Sequence, residues 1–449
     1  MRRKSNPQLF LFDTPSNNLV AKELEQITMI LDDTPELIEI IYHDLTRSAR
    51  HDTGREGMNA EQVLRCCIPK QYRQLTYEEL AFHLEDSTAF RRFSRLRMGQ
   101  YPSRSILHEN IKHVTEDAWE AIHRALIDYA TDQKIETGKK IRVDSTGDQN
   151  RHSSSSRLNT ACRRCSGYYP LAASRKGAFN CPLVLFQRPQ PCGGKTGIDH
   201  SQRKGGRHAK GLIPCFAHLC PVSRGVCRAG GRREQVFSRG FRAMNAAEKL
   251  ERAIGILRLV IDQTDRRVFK GEKVPASEKV VSFCEDHTDI IVKDRRDTQY
   301  SHKVFLSGGV STMILDCMIE RGNPADSDRY RPMLDRRADC FGRMYRQVAA
   351  DGGSASRDNL SYAKGNQVKD AVFAKKRGLT VMKMAKSAWA YKMLHNFRAG
   401  MEAGISTLKR ALGLDRCTWS GWEGFRRYVW SSIVSYNLLV MARIKLAKD

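Results

Sequence analysis

Apolar residues recur every three or four positions from about Lys22 to Gln133, which predicts helices joined by short loops. Asn59-Ala-Glu-Gln62 and Thr76-Tyr-Glu-Glu79 each set a capping residue three before Gln or Glu. Helices should therefore start just after Asn59 and Thr76. Their apolar faces follow at Val63, Leu64, Cys67 and Ile68, and at Leu80, Phe82 and Leu84. Further helices are predicted from Ser105 and Thr115, after a break at Pro102. From Lys139 to Thr146 the period changes. Ile141 and Val143 alternate with polar residues, as in a short strand, with Asp144 at its end.

Residues 147–245 follow neither period. Order returns with an amphipathic helix over Ala246–Gln263. Strand-like pieces follow at Val280–Phe283, Asp289–Val292, Lys303–Leu306 and Thr312–Leu315, the last two joined by a turn at Ser307-Gly308-Gly309. A helix over about Ser327–Phe341 leads to a strand over Arg346–Ala350 that stops at Asp351. A helix over Ala355–Lys364 and a strand over Ala371–Ala374 come next. Strand and helix alternate, so the fold class predicted is an α/β layer behind an all-α region. Two long helices close the chain. The first, Trp389–Arg410, has Met393, Phe397, Met401, Ile405 and Leu408 on one face. The second starts at about Gly421 and carries Trp422, Phe425, Val429, Ile433 and Leu438. It is expected to pack on the sheet, its aromatic stripe serving as core.

Composition adds size, location and a partner. A chain of 449 residues has room for two or three domains. There is no signal peptide in the first residues and no apolar run of about 18, so a soluble, cytoplasmic, nucleoid-associated protein is expected, with no membrane partner. The net charge of +26 points to a polyanion such as double-stranded DNA. It is uneven: Gly147–Asn245 holds 18 Lys/Arg against three acids, a net of +15, leaving +11 for the rest. Lys70, Arg73, Arg91 and Arg92, near the ends of the early helices, and Lys375, Lys376 and Arg377, after the last strand, are the candidate DNA-binding residues. The early helices read equally as a helix-turn-helix-like DNA binder or as a bundle with a basic rim.

The candidate chemistry lies in three acids. Asp144 and Asp351 follow strand residues, and Glu402 stands on the helix after the last strand. Arg398 precedes Glu402 by four and Lys409 follows it by seven, so the three share one helix ridge, within about 40° of one another. Alone, that ridge is a solvated face with an ion pair worth about 0.3–0.5 kcal/mol. Three carboxylates at one sheet edge would instead hold two hard cations through oxygen. Mg²⁺ (or Mn²⁺) so held activates a water or a 3′-hydroxyl against a phosphodiester. Arg398 and Lys409 would steer phosphate or balance charge.

At this point the residues resemble a known family. Arg398-x3-Glu402-x6-Lys409 is similar to the signature helix of bacterial insertion-sequence DDE transposases, whose fold is RNase H-like; His395 stands where that signature usually has Tyr. Gln74–Leu84, Gly99–Ser103, Gly271–Val280, Tyr300–Leu306, Gly322–Ser327, Asp351–Ser356 and Arg416–Trp419 resemble the ISNCY-type members in the same order. The resemblance covers 1–146 and 246–449. It implies an RNase H-like mixed-sheet catalytic domain preceded by an all-α DNA-binding domain. Asp144, Asp351 and Glu402 would be catalytic and metal-binding. The substrates would be element ends and target DNA, and the protein a homo-oligomer on DNA. The implied division is a helical DNA-binding domain at 1–135, a first catalytic strand at 136–146 and the remaining catalytic domain at 246–449. An RNase H-like nuclease and a non-catalytic DNA-binding protein are the alternatives.

The segment 147–245 departs from that family. Cys162-Arg-Arg-Cys165 has zinc-ligand spacing and His200, His208 and His218 are nearby, but no second closely spaced cysteine pair follows. Its Ser, Arg and Cys excess has another source. Permitted codons for Gln149–Ser155, read one base later, spell Lys-Ile-Asp-Ile-His-His-Pro, a run the family carries at this point. Codons for Gly167–Ala172 in the same offset spell Val-Ile-Thr-Arg-Trp, also a family run. The segment is therefore read as translated out of frame between two compensating shifts, poorly ordered, and the chain as a relic of a transposase.

Overall fold

Both capping boxes start helices where the sequence places them. The computed structural model describes residues 4, 18–47, 57–149, 241–275, 278–282, 285–293, 297–342 and 344–448. In it Asn59 Oδ1 accepts from the Gln62 amide while Gln62 Oε1 accepts from the Asn59 amide. Thr76 and Glu79 repeat the exchange. Each box pairs amides that a helix start otherwise leaves open. The helices before the first strand are α1 (Leu19–Asp33), α2 (Glu36–Thr46), α3 (Ala60–Tyr72), α4 (Tyr77–Asp86), α5 (Thr88–Phe93), α6 (Arg104–His113) and α7 (Glu116–Asp132). A buried charge network ties several of them together. Arg65, fully buried, bonds Glu61 at 2.9 Å and Asp32 at 2.8 Å, and Arg95 reaches the same two acids.

The strands are β1 (Lys140–Gln149), β2 (Ile290–Lys293), β3 (Asp297–Gly308), β4 (Ile314–Glu320), β5 (Gln347–Ala350) and β6 (Asp370–Phe373). The sheet order is β4-β3-β1-β5-β6, with β2 on the first part of β3. β1 is antiparallel to β3 and parallel to β5, which is parallel to β6. The later helices are α8 (Phe241–Thr264), α9 (Asp326–Phe341), α10 (Arg357–Gly365), α11 (Val381–Met384), α12 (Ala388–Leu412) and α13 (Trp422–Leu446). One cross-strand row, Gly308, Arg142, Ala349 and Val372, runs beneath α12. Two glycines allow that approach. A Cβ on Gly308 would meet Met401 Sδ at 2.8 Å, and one on Gly400 would overlap the Arg142 guanidinium. Arg142 in turn donates to the Phe397 carbonyl at 3.1 Å and lies over its ring. On the other face Tyr330 of α9 packs against Phe373.

α13 is buried almost all round, including Phe425, Tyr428, Val429, Trp430, Ile433 and Leu438, as a helix enclosed by others must be. Its stripe is core. The sequence places this helix on the sheet; the structure sets it chiefly among α1, α3 and α7, and it meets the sheet at β4 and, through the Trp422 and Phe425 rings against His302, at β3. The reason is supply of apolar surface: three helix faces surround it, and the sheet offers it less. At β4 Asn437, fully buried, accepts from Ile314 N at 2.9 Å and donates to Ile314 O at 2.7 Å. A side-chain amide so completes the backbone pairing at the start of β4.

Three local expectations change. β1 does not end at Asp144, because antiparallel pairing with β3 carries it on to Gln149↔Ser301. Ser307 and Gly308 stay in β3, at a register shift, so the turn to β4 falls after them. Residues 280–282 are no strand; the Gln263 side-chain amide bonds both Val280 N and Val280 O, taking the place of a partner strand. The described elements form two compact units, one within residues 1–153 and 287–449, the other within 154–286. In the second, α8 runs on into a π-helical turn, Asp265–Phe269, where Arg266 bonds Glu272 and Glu278. The zinc spacing at Cys162 and Cys165 and nearly all of the out-of-frame segment lie outside the described residues. No described helix is long and apolar enough to cross a membrane.

Candidate active site

The parallel ladder between β1 and β5 stops at Val143↔Ala350. The next residue on each strand is an acid, so Asp144 and Asp351 stand side by side at the same level. Alternation along β1 sends Lys140, Arg142 and Asp144 to the face that α12 covers, and Ile141 and Val143 to the other. Asp351 opens a 3-10 turn, Gly352–Ser354, against which the stem of Lys375 packs so closely that a Cβ on Gly352 would meet its Cγ at 2.7 Å. α12 brings the third acid. Lys409 near its end donates to the Gly147 carbonyl at 2.8 Å, fastening helix to strand.

All three acids converge on one guanidinium. Arg398 Nη2 lies 2.9 Å from Glu402 Oε1, and Nη1 lies 3.5 Å from Asp351 Oδ1 and 3.8 Å from Asp144 Oδ2. Asp144 is the most enclosed, its side chain 13 % exposed against 43 % for Asp351 and 59 % for Glu402. Burial pushes its carboxyl up to about 6; the Ser145 amide and Arg398 oppose the rise, and the Asp351 and Glu402 charges add to it. The Asp144 carboxylate is thus short of positive charge even with Arg398 beside it.

Among the described residues no group of three His, Cys, Asp or Glu side chains is arranged to hold a metal ion as it stands, since Arg398 fills the space between the carboxylates. The donor chemistry nevertheless fits a hard divalent cation: three carboxylates, and a charge deficit at the most buried of them. His395, one turn before Arg398, packs its ring against Tyr391.

The cations expected to meet DNA are scattered. Arg73, Lys375, Lys376 and Arg377 are exposed. Arg92 pairs with Glu25, and Arg91 donates to the Leu84 and Arg97 carbonyls while stacking on Tyr101, so both are engaged within the fold. Lys70 is buried. The sequence reading passed over Arg142, which seats α12 on β1. Its signal was a cation at the alternate position between Ile141 and Val143.

Asp144 and Glu402 also line a cleft of about 1210 Å³, with Lys409 and Arg410 on one side and Lys70, Arg104 and Lys112 on the other. Gln74 braces that opening by donating to the Arg410 carbonyl, and Tyr428 does the same at Gly413, where α12 ends with φ +74°.

Two family models match parts of the chain, neither of them including β1 and Asp144. Residues 258–438 match the model of the Transposase DDE domain, which contains Asp351, Arg398, Glu402 and Lys409. Residues 15–113 match the Transposase domain (DUF772). No curated protein and no solved structure matches the chain. The DDE-domain match implies an RNase H-like fold for the mixed sheet and its helices. Taken together, the two matched domains support an insertion-sequence transposase.

Proposed function

We propose that the chain is built as a DDE transposase that cuts DNA at the ends of its element and joins them to a target. The convergence of Asp144, Asp351 and Glu402 on a single guanidinium carries this reading. The acids would hold Mg²⁺ or Mn²⁺. A divalent cation so bound supplies charge to activate a water or 3′-hydroxyl and to stabilise the leaving oxygen. The chain's own residues do the rest. Asp144 and Asp351, fixed by adjacent strands, set the floor of the site, and Glu402 closes it from α12. Arg398, which balances the carboxylates, would be available to a phosphate oxygen if they held another cation. Lys409 holds α12 at the distance from β1 that keeps Glu402 in place. Water attacks phosphorus at the element end, the 3′-oxygen leaves as a hydroxyl, and that hydroxyl attacks target DNA.

The helices α1–α7 would engage the terminal inverted repeats, with Arg73 the most accessible of their candidate cations, while Lys375, Lys376 and Arg377 meet DNA beside Asp351. The resemblance to ISNCY-type members, a homo-oligomer on DNA and the out-of-frame origin of 147–245 belong to the same reading. Sequencing the gene across the two junctions tests the last point: codons that do not restore the family runs remove it. A supercoiled plasmid carrying the element ends, with Mg²⁺, tests the function. Nicking at the ends that Glu402→Gln abolishes is the expected result. End binding without nicking leaves only a DNA-binding protein, and nicking without regard to the ends leaves a nuclease.

A further inference from the structure

α3 closes with a lysine that has no anion. Lys70 is 3 % exposed. Among the described residues no carboxylate pairs with its Nζ, which lies over the rings of Tyr77 at 4.7 Å and Trp419 at 5.6 Å. The thiols of Cys67 and Cys417 are its nearest acidic groups, and burial pushes the Cys67 thiol up to about 12, which keeps it neutral. Ring faces soften the cost of a buried ammonium but do not cancel it. Burial accordingly lowers the Lys70 pKa. A fold that only needed an apolar helix end would carry leucine or methionine here.

The place explains the residue. Lys70 lines the cleft that Asp144 and Glu402 also line. Arg104 and Lys112 stand on the same wall, and the His108 pKa is lowered by burial and then by Lys112, Arg104 and Lys70. The acids Glu78 and Asp415 line the cleft as well, but neither pairs with Lys70.

We propose that this cleft is a groove for a DNA strand, and that Lys70, backed by Tyr77 and Trp419, takes a backbone phosphate next to the one presented to Asp144 and Glu402. The assignment rests on the reading of the acids as a DNA-cutting site. It makes the helical wall part of the catalytic cleft and gives it a task distinct from recognising the repeats. A phosphate supplies the counter-charge that the fold withholds, so Lys70 is held costly and ready until the strand arrives.

Full-length protein and a 20-base-pair duplex of arbitrary sequence, without divalent cations, test this across a salt series. Lys70→Met should melt at the same temperature as wild type or higher, because an uncompensated cation is gone. Its duplex affinity should fall about 5–10-fold at 100 mM salt, and the slope of log affinity against log salt should flatten by about one. Lys70→Arg should keep the wild-type slope. If Lys70→Met does not fold, Lys70→Gln takes its place with the same expectations. Unchanged affinity and slope, or a lower melting temperature with an unchanged slope, overturns the proposal. Inorganic phosphate that stabilises wild type at matched ionic strength as strongly as the duplex does would assign the site to a free anion and overturn the strand groove. Nothing is cleaved in these measurements, so a chain that binds through Lys70 yet never nicks loses the catalytic reading alone.

Discussion

Asp144 bears most of the electrostatic strain of the site. Its carboxyl, raised to about 6, takes up a proton more readily in the folded state than in the unfolded one. Stability from that proton is complete below the unfolded value near 4 and is lost as pH rises through 6. Asp144→Asn, which cannot ionise, should therefore be more stable than wild type in metal-free buffer at pH 7.5, by about 1–3 kcal/mol. The gain should vanish below about pH 4. Urea unfolding at the two pH values measures it. Nicking activity should be absent in the same variant. At this scale the sequence was legible where spacing carries chemistry: the ridge of Arg398, Glu402 and Lys409 is a helical one, and its Arg398–Glu402 pair forms at 2.9 Å. It was less legible for Lys70. Charge alone groups that residue with exposed Arg73, yet Lys70 shares the helical stripe of Val63 and Cys67, all buried.

Among the elements, α12 decides whether the acids meet. Its seat on β1 depends on absent side chains as much as on present ones. Gly400→Ala would force a Cβ into the Arg142 guanidinium. The expected outcome is a loss of about 1–3 kcal/mol in thermal or denaturant unfolding, with nicking lost even though no acid has changed. Asn59→Ala, which opens the α3 capping box, should cost about 1 kcal/mol and leave the chemistry alone. Helix starts and the four-residue runs of β5 and β6 could be read from sequence because caps and short apolar runs are local signals. The length of β1 could not, since its last residues are strand only through pairing with β3. Nor could Val280, whose partner is the Gln263 side chain. One core cluster runs through the helices before β1 and through the sheet.

At the scale of the whole molecule, that shared core means shared stability within the unit of residues 1–153 and 287–449. Trp430 on α13 is 2 % exposed and lies beside His123 of α7, which itself bonds the Ile314 carbonyl of β4. Trp430→Ala should cost about 3–5 kcal/mol. Helical circular dichroism and the near-ultraviolet signal of the sheet's aromatics should then melt together at the lowered temperature. Two separate transitions would show that helices and sheet are held independently. The same central position of α13 has a consequence for timing. During translation α1–α7 and β1 leave the ribosome long before Glu402 and α13 do. On the proposed reading a growing polypeptide therefore holds two aspartates and no complete acid trio until α12 has followed β1 and β5. A transposase built on this plan would be armed late, by the helix that carries its third carboxylate.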